Sequence, residues 1–230
     1  MGKTLAYSVV IPFYNEEESV EELLGKVSNV MDSLGETYEI IALNDGSTDE
    51  TRGKLEEMRR INPVIIPIHF IRNKGQTACL KEGFEKAKGD TVISMDGDLQ
   101  DDPMEIPSML KAFKGSKADV VCGWRKNRKD PAKTLSLSKL GNFFQKRFLQ
   151  VPIHDISCTF RIYKKEAIKN IKLERAGLHR YLPFILKRNG FTLTEKEVNH
   201  SPRKHGHSKY SVKKAPETVK LFFGLLLNKY

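Results

Sequence analysis

"TVISMDGDLQDDP", Thr91 to Pro103, joins an apolar run to four aspartates within seven positions, in a chain whose formal net charge is +10. The apolar part reads as a buried strand. The acidic part is costly unless a positive partner is brought to it, because carboxylates this close repel one another. Working outward, the same arrangement recurs. "YSVVIPF" (Tyr7–Phe13), "YEIIALND" (Tyr38–Asp45), "VIIPIHF" (Val64–Phe70) and "DVVCGW" (Asp119–Trp124) are strand-like runs that end in polar residues. Between them lie helical patterns, the clearest being Val20, Leu23, Leu24, Val27, Val30, Met31 and Leu34.

Alternating strands and helices with continuously apolar strands specify an α/β fold, with a mainly parallel sheet and helices on both faces. Cys79, Gly83 and Ala87 form a small-residue row at helical spacing, suited to close packing on such a sheet. Ser47, Thr48 or Asp49 is expected to cap the helix after the second strand. Past Trp124 the pattern changes. A basic stretch leads to an amphipathic helix carrying Leu137, Leu140, Phe144 and Phe148. "CTFRIY" (Cys158–Tyr163) and "TLTEKEV" (Thr192–Val198) read as further strands, with a helical stretch at Leu178–Lys187 and a C-terminal helix from about Val212. No linker or repeat divides the chain. One domain is expected over 1–230, with halves at 1–125 and 126–211 and an amphipathic, juxtamembrane helix at 212–230.

In open α/β sheets, ligands bind beyond the carboxyl ends of the strands. Five strand ends place Asn15 and Glu16, Asp45, Arg72 and Asn73, Asp96 and Asp98, and Arg125 along one edge. Asp96 and Asp98 are two residues apart at a strand end, so both carboxylates can face one point. Hard oxygen ligands of this kind suit Mg²⁺ or Mn²⁺ together with substrate phosphates. Asp101 and Asp102 precede Pro103 and are equally readable as an acidic helix start. The absence of GxGxxG after the first strand and of GxxxxGK[ST] anywhere argues against nicotinamide or flavin enzymes and P-loop NTPases.

Other signals bound the partners. The three cysteines form neither a disulfide framework nor a zinc pattern, which fits a reducing compartment. No stretch has the features of a signal peptide, and Ala6 breaks a myristoylation motif. The longest apolar run near the C-terminus, "LFFGLLL", is too short to cross a bilayer. His200, His205 and His207 lack the companions of a zinc site and read as a solvated or phosphate-contacting loop. A nucleic-acid binder is disfavoured, since the acidic cluster would repel phosphates and aromatic residues do not interleave a basic stretch. A Mg²⁺-dependent phosphohydrolase built on the "MDGDL" aspartates is a competing class, but it leaves Tyr14, Asp45 and the Arg203-to-Lys209 loop unused.

"VVIPFYNEEES", "LNDGSTDET", "RNKGQTACLKEGFEKAKGD" and "MDGDLQDDP", in this order, resemble the signature segments of family 2 of the inverting glycosyltransferases. "DISCTFRIYKKEA" and "RKHGHSKYS" resemble a narrower branch acting on polyprenyl phosphates, to which dolichol-phosphate mannosyltransferases belong. The resemblance implies a Rossmann-like nucleotide-diphospho-sugar transferase (GT-A) fold. It implies metal-dependent, inverting transfer of a sugar from GDP-mannose or a UDP-hexose to a polyprenyl or dolichyl phosphate. A saccharide hydroxyl is the alternative acceptor.

By the same resemblance, Pro12, Tyr14, Glu16 and Asp45 contact the base and ribose, with Asp96 beside the nucleotide. Asp96 and Asp98 form the DxD motif that binds Mg²⁺ or Mn²⁺, with Gln100 as a further ligand. Arg125, Lys133, Ser138, Arg203, Ser208 and Lys209 contact the acceptor phosphate or donor diphosphate. Asp98, Asp155 and Arg203 are the catalytic candidates, Asp155 as a base, as an orienting group or equally as a structural turn residue. Asn44 stands where many relatives carry Asp, Cys158-Thr159 replaces a Ser-Gly pair, and Thr134 lies near an expected Arg. The implied setting is cytoplasmic, peripheral to the anionic cytoplasmic face of a membrane, with any spanning segments lying beyond Tyr230.

Overall fold

The computed structural model describes residues 5–126, 151–202, 221, 224–225 and 227. Its core is one sheet of seven strands in the order β3-β2-β1-β4-β6-β5-β7. The strands are β1 (Tyr7–Phe13), β2 (Tyr38–Asn44), β3 (Ile65–His69), β4 (Thr91–Ser94), β5 (Val120–Trp124), β6 (Arg161–Lys164) and β7 (Leu193–Glu197). β1 runs parallel to β2 and β4, β2 parallel to β3, and β5 parallel to β7, while β6 is antiparallel to both β4 and β5. Because β6 is wedged between β4 and β5, the amino end of β6 lies on the same edge as the carboxyl ends of the other six. Both halves of the chain therefore build one edge, interleaved rather than side by side.

The period-2 geometry of strands divides the apolar side chains between two faces. Val9, Ile11, Ile40, Ala42, Ile93, Val121 and Ile162 join one core, under α1 (Val20–Ser33), α2 (Thr51–Ile61) and α4 (Ile106–Gly115). Val10, Ile41, Leu43, Val92, Val120, Cys122 and Tyr163 join the other, under α3 (Gln76–Lys86), α5 (Lys165–Ile168) and α6 (Leu182–Arg188). The sheet is thus covered on both faces, as its continuously apolar strands require. The apolar row of α1 is buried from Val20 to Met31. On α3, a Cβ at Gly83 would collide with the Val10 side chain, so the small-residue row is what lets this helix lie close to β1.

Several boundaries differ from the sequence reading. The run from Cys158 joins the ladder only at Arg161, because the Thr159 carbonyl accepts from Ser94 Oγ at 2.5 Å instead. The helix read at 178–187 is split into a 3₁₀ turn, Leu178–Tyr181, and α6. Pro183 lacks an N–H and is well placed only in a first helical turn, so the helix restarts there. The Leu137–Phe148 helix lies outside the described residues. Of the C-terminal segment, Leu221 and Leu225 are buried in the second core and Leu227 is 64% exposed. Those two leucines pack against the protein rather than offering an apolar face to lipid. Among the described residues no helix is long and apolar enough to cross a membrane.

Candidate functional site

The acidic loop after β4 is shaped by its apolar members. Met95 and Leu99 are buried in the first core, at 0% and 5% exposure. Leu99 takes a left-handed backbone, φ 60°, an uncommon conformation for a side chain of its size. Sinking Leu99 into the core while the chain turns leaves Asp96 and Asp98 on the sheet edge. Gly97 must be glycine, since a Cβ there would stand 2.6 Å from the Pro12 carbonyl oxygen and 2.8 Å from the Phe13 ring. The loop leans directly on the end of β1.

Three carboxylates meet here. Gln76 Nε2, at the start of α3, donates to Asp96 Oδ1 at 2.6 Å. Asp98 Oδ1 accepts from Gln100 N–H at 3.1 Å. Asp101 is 2% exposed and turns back into the loop, its Oδ2 accepting from Asp96 N–H at 3.3 Å. Asp102 alone performs the helix-start role, accepting from Met104 N–H in front of the 3₁₀ turn Pro103–Glu105. Burial, then the Asp101 and Asp98 charges, push the Asp96 carboxyl up to about 7 against the opposing pull of Thr159 and Arg125. A carboxyl whose ionisation is opposed by burial and by two neighbouring carboxylates is a place where a cation would lower the energy.

Along the ends of β1 to β3, loops are pinned to one another by side chains. Asp45 is 4% exposed and receives Lys74 N–H at 2.7 Å and Gly75 N–H at 3.2 Å on Oδ1. Its Oδ2 receives Asn73 Nδ2 at 3.0 Å and Gly75 N–H at 2.9 Å. Asp45 thereby fixes the β3–α3 loop as well as lying on the predicted base-binding edge. Gly46, with φ 65°, lets that loop pass against its own backbone, where any Cβ would clash with Arg72 and Asn73. Glu16 is buried in the loop between β1 and α1, its N–H donating to Thr51 Oγ1 at 2.9 Å. Pro12 and Tyr14 are half-buried on the same edge. None of the three expected residues is the N-cap of α2, which is Glu50 and makes no side-chain cap. Asp49 stands one residue before it with Oδ1 accepting from Thr51 N–H at 3.0 Å, while Ser47 and Thr48 hydrogen-bond to Asn15. Asn44 joins a chain of contacts to His69 Nδ1 at 3.2 Å, whose Nε2 meets Glu56 at 2.9 Å.

The β5 end is organised by a pair of opposite charges. Arg125 donates through Nε to Asp155 Oδ2 at 2.7 Å and through one terminal nitrogen to Oδ1 at 3.1 Å. Their side chains are 10% and 5% exposed. Ser157 Oγ bonds both partners, at 3.0 Å from Arg125 and 2.9 Å from Asp155 Oδ1. Both Asp155 oxygens are engaged by the Arg125 guanidinium, and Oδ1 also accepts from Ser157, so Asp155 anchors Arg125 in place. Burial opposes the Arg125 charge, but Asp155 and Asp101 outweigh it and hold the guanidinium firmly protonated. Next to this pair, Trp124 stacks on His154, with ring centroids 4.4 Å apart and an interplanar angle of 17°, and His154 also bonds Glu195.

The structure thus brings together Pro12, Tyr14, Glu16, Asp45, Asp96, Asp98, Gln100, Arg125 and Asp155. Lys133, Ser138, Arg203, Ser208 and Lys209 lie outside the described residues, as do His205 and His207. Sequence reasoning missed Gln76 and Asp101 in its inward-turned role, and it read His200 as part of a solvated or phosphate-contacting loop, whereas the His200 side chain is only 6% exposed. The strand-end rule would have found His200, since it follows β7 just as Asp96 follows β4. Asp101 could not be found that way, because only the turn at Leu99 reverses it. The three cysteines are free and buried. Burial pushes the Cys122 thiol to about 11 and the Cys79 and Cys158 thiols higher still, which leaves them neutral and unreactive.

The acidic loop fits a hard divalent cation in part. Asp96 and Asp98 offer oxygen ligands, and Gln100 a carbonyl. Among the described residues, no three His, Cys, Asp or Glu side chains converge as a closed metal cage. The protein would therefore supply only part of the shell, as is usual where substrate phosphates complete it.

Residues 8–172 match the family model described as Glycosyl transferase family 2. The chain is 36% identical over 217 residues to the dodecaprenyl-phosphate galacturonate synthase of Rhizobium johnstonii, covering 91% of this chain and 63% of that protein. It is 37% identical over 223 residues to the undecaprenyl-phosphate 4-deoxy-4-formamido-L-arabinose transferase of Pseudomonas paraeruginosa, covering 95% and 63%. It spans just under two thirds of the length of these curated relatives. In fold it is similar to glucosyl-3-phosphoglycerate synthase from Mycobacterium tuberculosis, crystallised with Mn²⁺, UDP and phosphoglyceric acid. That likeness has a TM-score of 0.72 at 18% identity, over 97% of this chain and 78% of the other. It is also similar to S. aureus TarS residues 1–349, with a TM-score of 0.60 at 17% identity, over 85% and 60%. The sheet, its two covered faces and its acidic edge are those of a GT-A glycosyltransferase, and the chain belongs to glycosyl transferase family 2.

Proposed function

We propose that this chain carries out the inverting transfer of a sugar from a nucleotide-diphospho-sugar to a polyprenyl phosphate, at the cytoplasmic surface of a membrane. The observation that carries the reading is the charge layout of the sheet edge: the crowded Asp96–Asp98–Asp101 cluster stands beside an Arg125–Asp155 pair that neutralises itself. The first calls for a cation and the second withholds a base.

Asp96, Asp98 and Gln100 would hold Mg²⁺ or Mn²⁺ against the donor diphosphate. Such a cation supplies Lewis-acid stabilisation of the leaving group and a template for its orientation. Pro12, Tyr14, Glu16 and the loop fixed by Asp45 would seat the nucleoside. Arg125, held in place by Asp155, faces the acceptor side, with Lys133, Ser138, Arg203, Ser208 and Lys209 as further contacts to acceptor phosphate and diphosphate.

The acceptor follows from proton bookkeeping. A sugar hydroxyl loses its proton during attack and needs a positioned base. At this edge, Asp155 is bound to Arg125, Glu195 to His154 and Glu197 to Lys126. A phosphate monoester, with a second pKa of about 6, arrives largely dianionic and needs no base. One of its oxygens bonds to the anomeric carbon as the bond from that carbon to the diphosphate oxygen breaks, with inversion. The basic excess of the chain suits an anionic membrane surface. The names of the two relatives, both lipid-phosphate enzymes, support the same acceptor.

The test incubates the chain with short polyprenyl phosphates, Mn²⁺ and radiolabelled sugar nucleotides, then extracts into organic solvent. The donor panel is GDP-mannose, UDP-glucose, UDP-N-acetylglucosamine, and nucleotide-linked galacturonate and 4-deoxy-4-formamido-L-arabinose. Label is expected in the organic phase with one of these donors and Mn²⁺, and none after chelation. Label confined to soluble saccharides would overturn the lipid-phosphate reading.

A further inference from the structure

Beyond β7 the chain runs through Val198 and Asn199 to His200 and Ser201. His200 pairs with Asp101 in an isolated antiparallel bridge, and Ser201 N–H donates to the Gln100 carbonyl at 2.9 Å. This segment is laid backbone to backbone along the acidic loop. The His200 side chain is only 6% exposed. Its Nε2 lies 3.3 Å from Gln100 Nε2, and its Nδ1 lies 3.9 Å from Asp101 Oδ1 without a hydrogen-bond partner among the described residues.

These contacts dictate the chemistry of both side chains. Gln100 Nε2 also faces the Ser201 carbonyl oxygen, at 3.3 Å. A carbonyl can only accept, so the amide atom turned toward it must be the nitrogen. That NH₂ group has a second hydrogen for His200 Nε2. The imidazole nitrogen must then be the acceptor, which places the ring proton on Nδ1, the atom nearer Asp101. With its nitrogen engaged twice, Gln100 can offer a cation only its carbonyl oxygen.

We infer that His200 is a positioning residue for the metal-diphosphate site: its imidazole Nε2, accepting from the Gln100 amide nitrogen, locks that amide so that Oε1 is presented to the cation. It acts through Gln100 and does not itself touch the metal. The inference rests on the metal-dependent reading above and adds a residue from the far edge of the sheet. Outer partners of this kind are known to set ligand orientation, and their loss costs roughly 10–100-fold in metal affinity or activity.

The test measures Mn²⁺ binding by electron paramagnetic resonance with UDP and with GDP, independently of turnover. His200→Phe, which keeps a ring but loses the acceptor, should weaken Mn²⁺ binding by about 10-fold. His200→Asn, which keeps an acceptor oxygen, should recover part of that loss and serves as the working variant if His200→Phe does not fold. Gln100→Ala should lose as much, and combining it with His200→Phe should lose no more. Separately, ¹⁵N shifts of the nucleotide-free, metal-free chain should show the His200 proton on Nδ1. Unaltered Mn²⁺ affinity in folded His200→Phe, additive losses in the double variant, or a proton on Nε2 would each overturn the inference while leaving the functional reading intact. Failure of the unmodified chain to bind Mn²⁺ with either nucleotide would overturn the functional reading, and this inference with it.

Discussion

The end of β4 and the end of β5 are close along one sheet edge, yet they treat charge in opposite ways. At β4, Asp96, Asp98 and Asp101 are folded toward one another with hydrogen bonds from Gln76 and backbone N–H groups. At β5, one carboxylate and one guanidinium satisfy each other in a bidentate pair with Ser157 as a third member. The first region carries unrelieved repulsion, and the second has none to spare. Like charge is gathered in one place and cancelled in the next, which is the layout the proposed cation at β4 and the fixed Arg125 at β5 call for. The contrast also sets different expectations for stability: a charge removed from the β4 cluster relieves repulsion, whereas one partner removed from the β5 pair leaves a buried charge uncompensated.

The largest effect should come from removing one member of the crowded cluster. Asp98→Asn keeps the acceptor for Gln100 N–H but loses the charge. It should lower transfer by at least about 10²-fold, since a catalytic metal contributes several kcal/mol to the transition state. The metal-free variant should melt no lower than the unmodified chain, because repulsion has been relieved. An active Asp98→Asn enzyme, or one that melts well below the parent, would erase the contrast drawn above.

Breaking the β5 pair should do the reverse and act on stability first. Arg125→Met leaves Asp155 buried without its cation, which costs about 3–5 kcal/mol in a pair of this kind. Urea unfolding should show it, and the double variant with Asp155→Leu should recover much of the loss. Transfer should stay impaired in the recovered protein. Restored transfer in that double variant would mean that Arg125 has no part in acceptor binding.

Gly97→Ala tests how tightly the acidic loop leans on β1. The added methyl would stand 2.6 Å from the Pro12 carbonyl oxygen, so backbone must shift, at a cost of about 1–3 kcal/mol. Activity should fall together with the melting temperature, since the same shift displaces both flanking aspartates. A variant that loses neither would show the loop to be adaptable.

The smallest effect is in the pH dependence of the metal-free chain. The folded value for Asp96, about 7, lies above its ordinary 3.8, so the folded chain holds that proton more tightly than the unfolded chain between those limits. The stability contributed by this group is complete below about pH 4 and is lost as pH rises to about 7. Urea midpoints measured from pH 4 to 8 in chelator should therefore decline more steeply in the parent than in Asp96→Asn. Parallel profiles would show that the cluster is less crowded than its geometry implies.

How much of this was legible beforehand depends on the kind of interaction. The α/β class, the two covered faces and five of the converging strand ends follow from apolar runs that end in polar residues, because burial and backbone periodicity act locally. The Asp96–Asp98 carboxylate pair could be read for the same reason: two residues apart at a strand end is a local geometry. The role of Asp155 could not. Its separation from Arg125 is 30 residues, and β6 had to be inserted between β4 and β5 before their loops could meet. Nor could the interlock of Asp45 with the Asn73–Gly75 loop, which depends on β2 and β3 lying side by side and on Gly46 allowing close passage.

"TVISMDGDLQDDP" by itself determined a strand, a carboxylate pair at its end and an acidic helix start at Asp101, Asp102 and Pro103, of which the structure leaves that role to Asp102 alone. Tertiary structure decided the rest. Burying Leu99 in a left-handed turn reverses Asp101 into the cluster, packing Gly97 on β1 sets the height of the loop, and the far end of β7 brings His200 to Gln100. Sequence spacing encodes what neighbours along the chain can do. Which charges oppose and which cancel is settled only when distant segments are forced into the same low-dielectric volume, where pairing and crowding carry their full energetic weight.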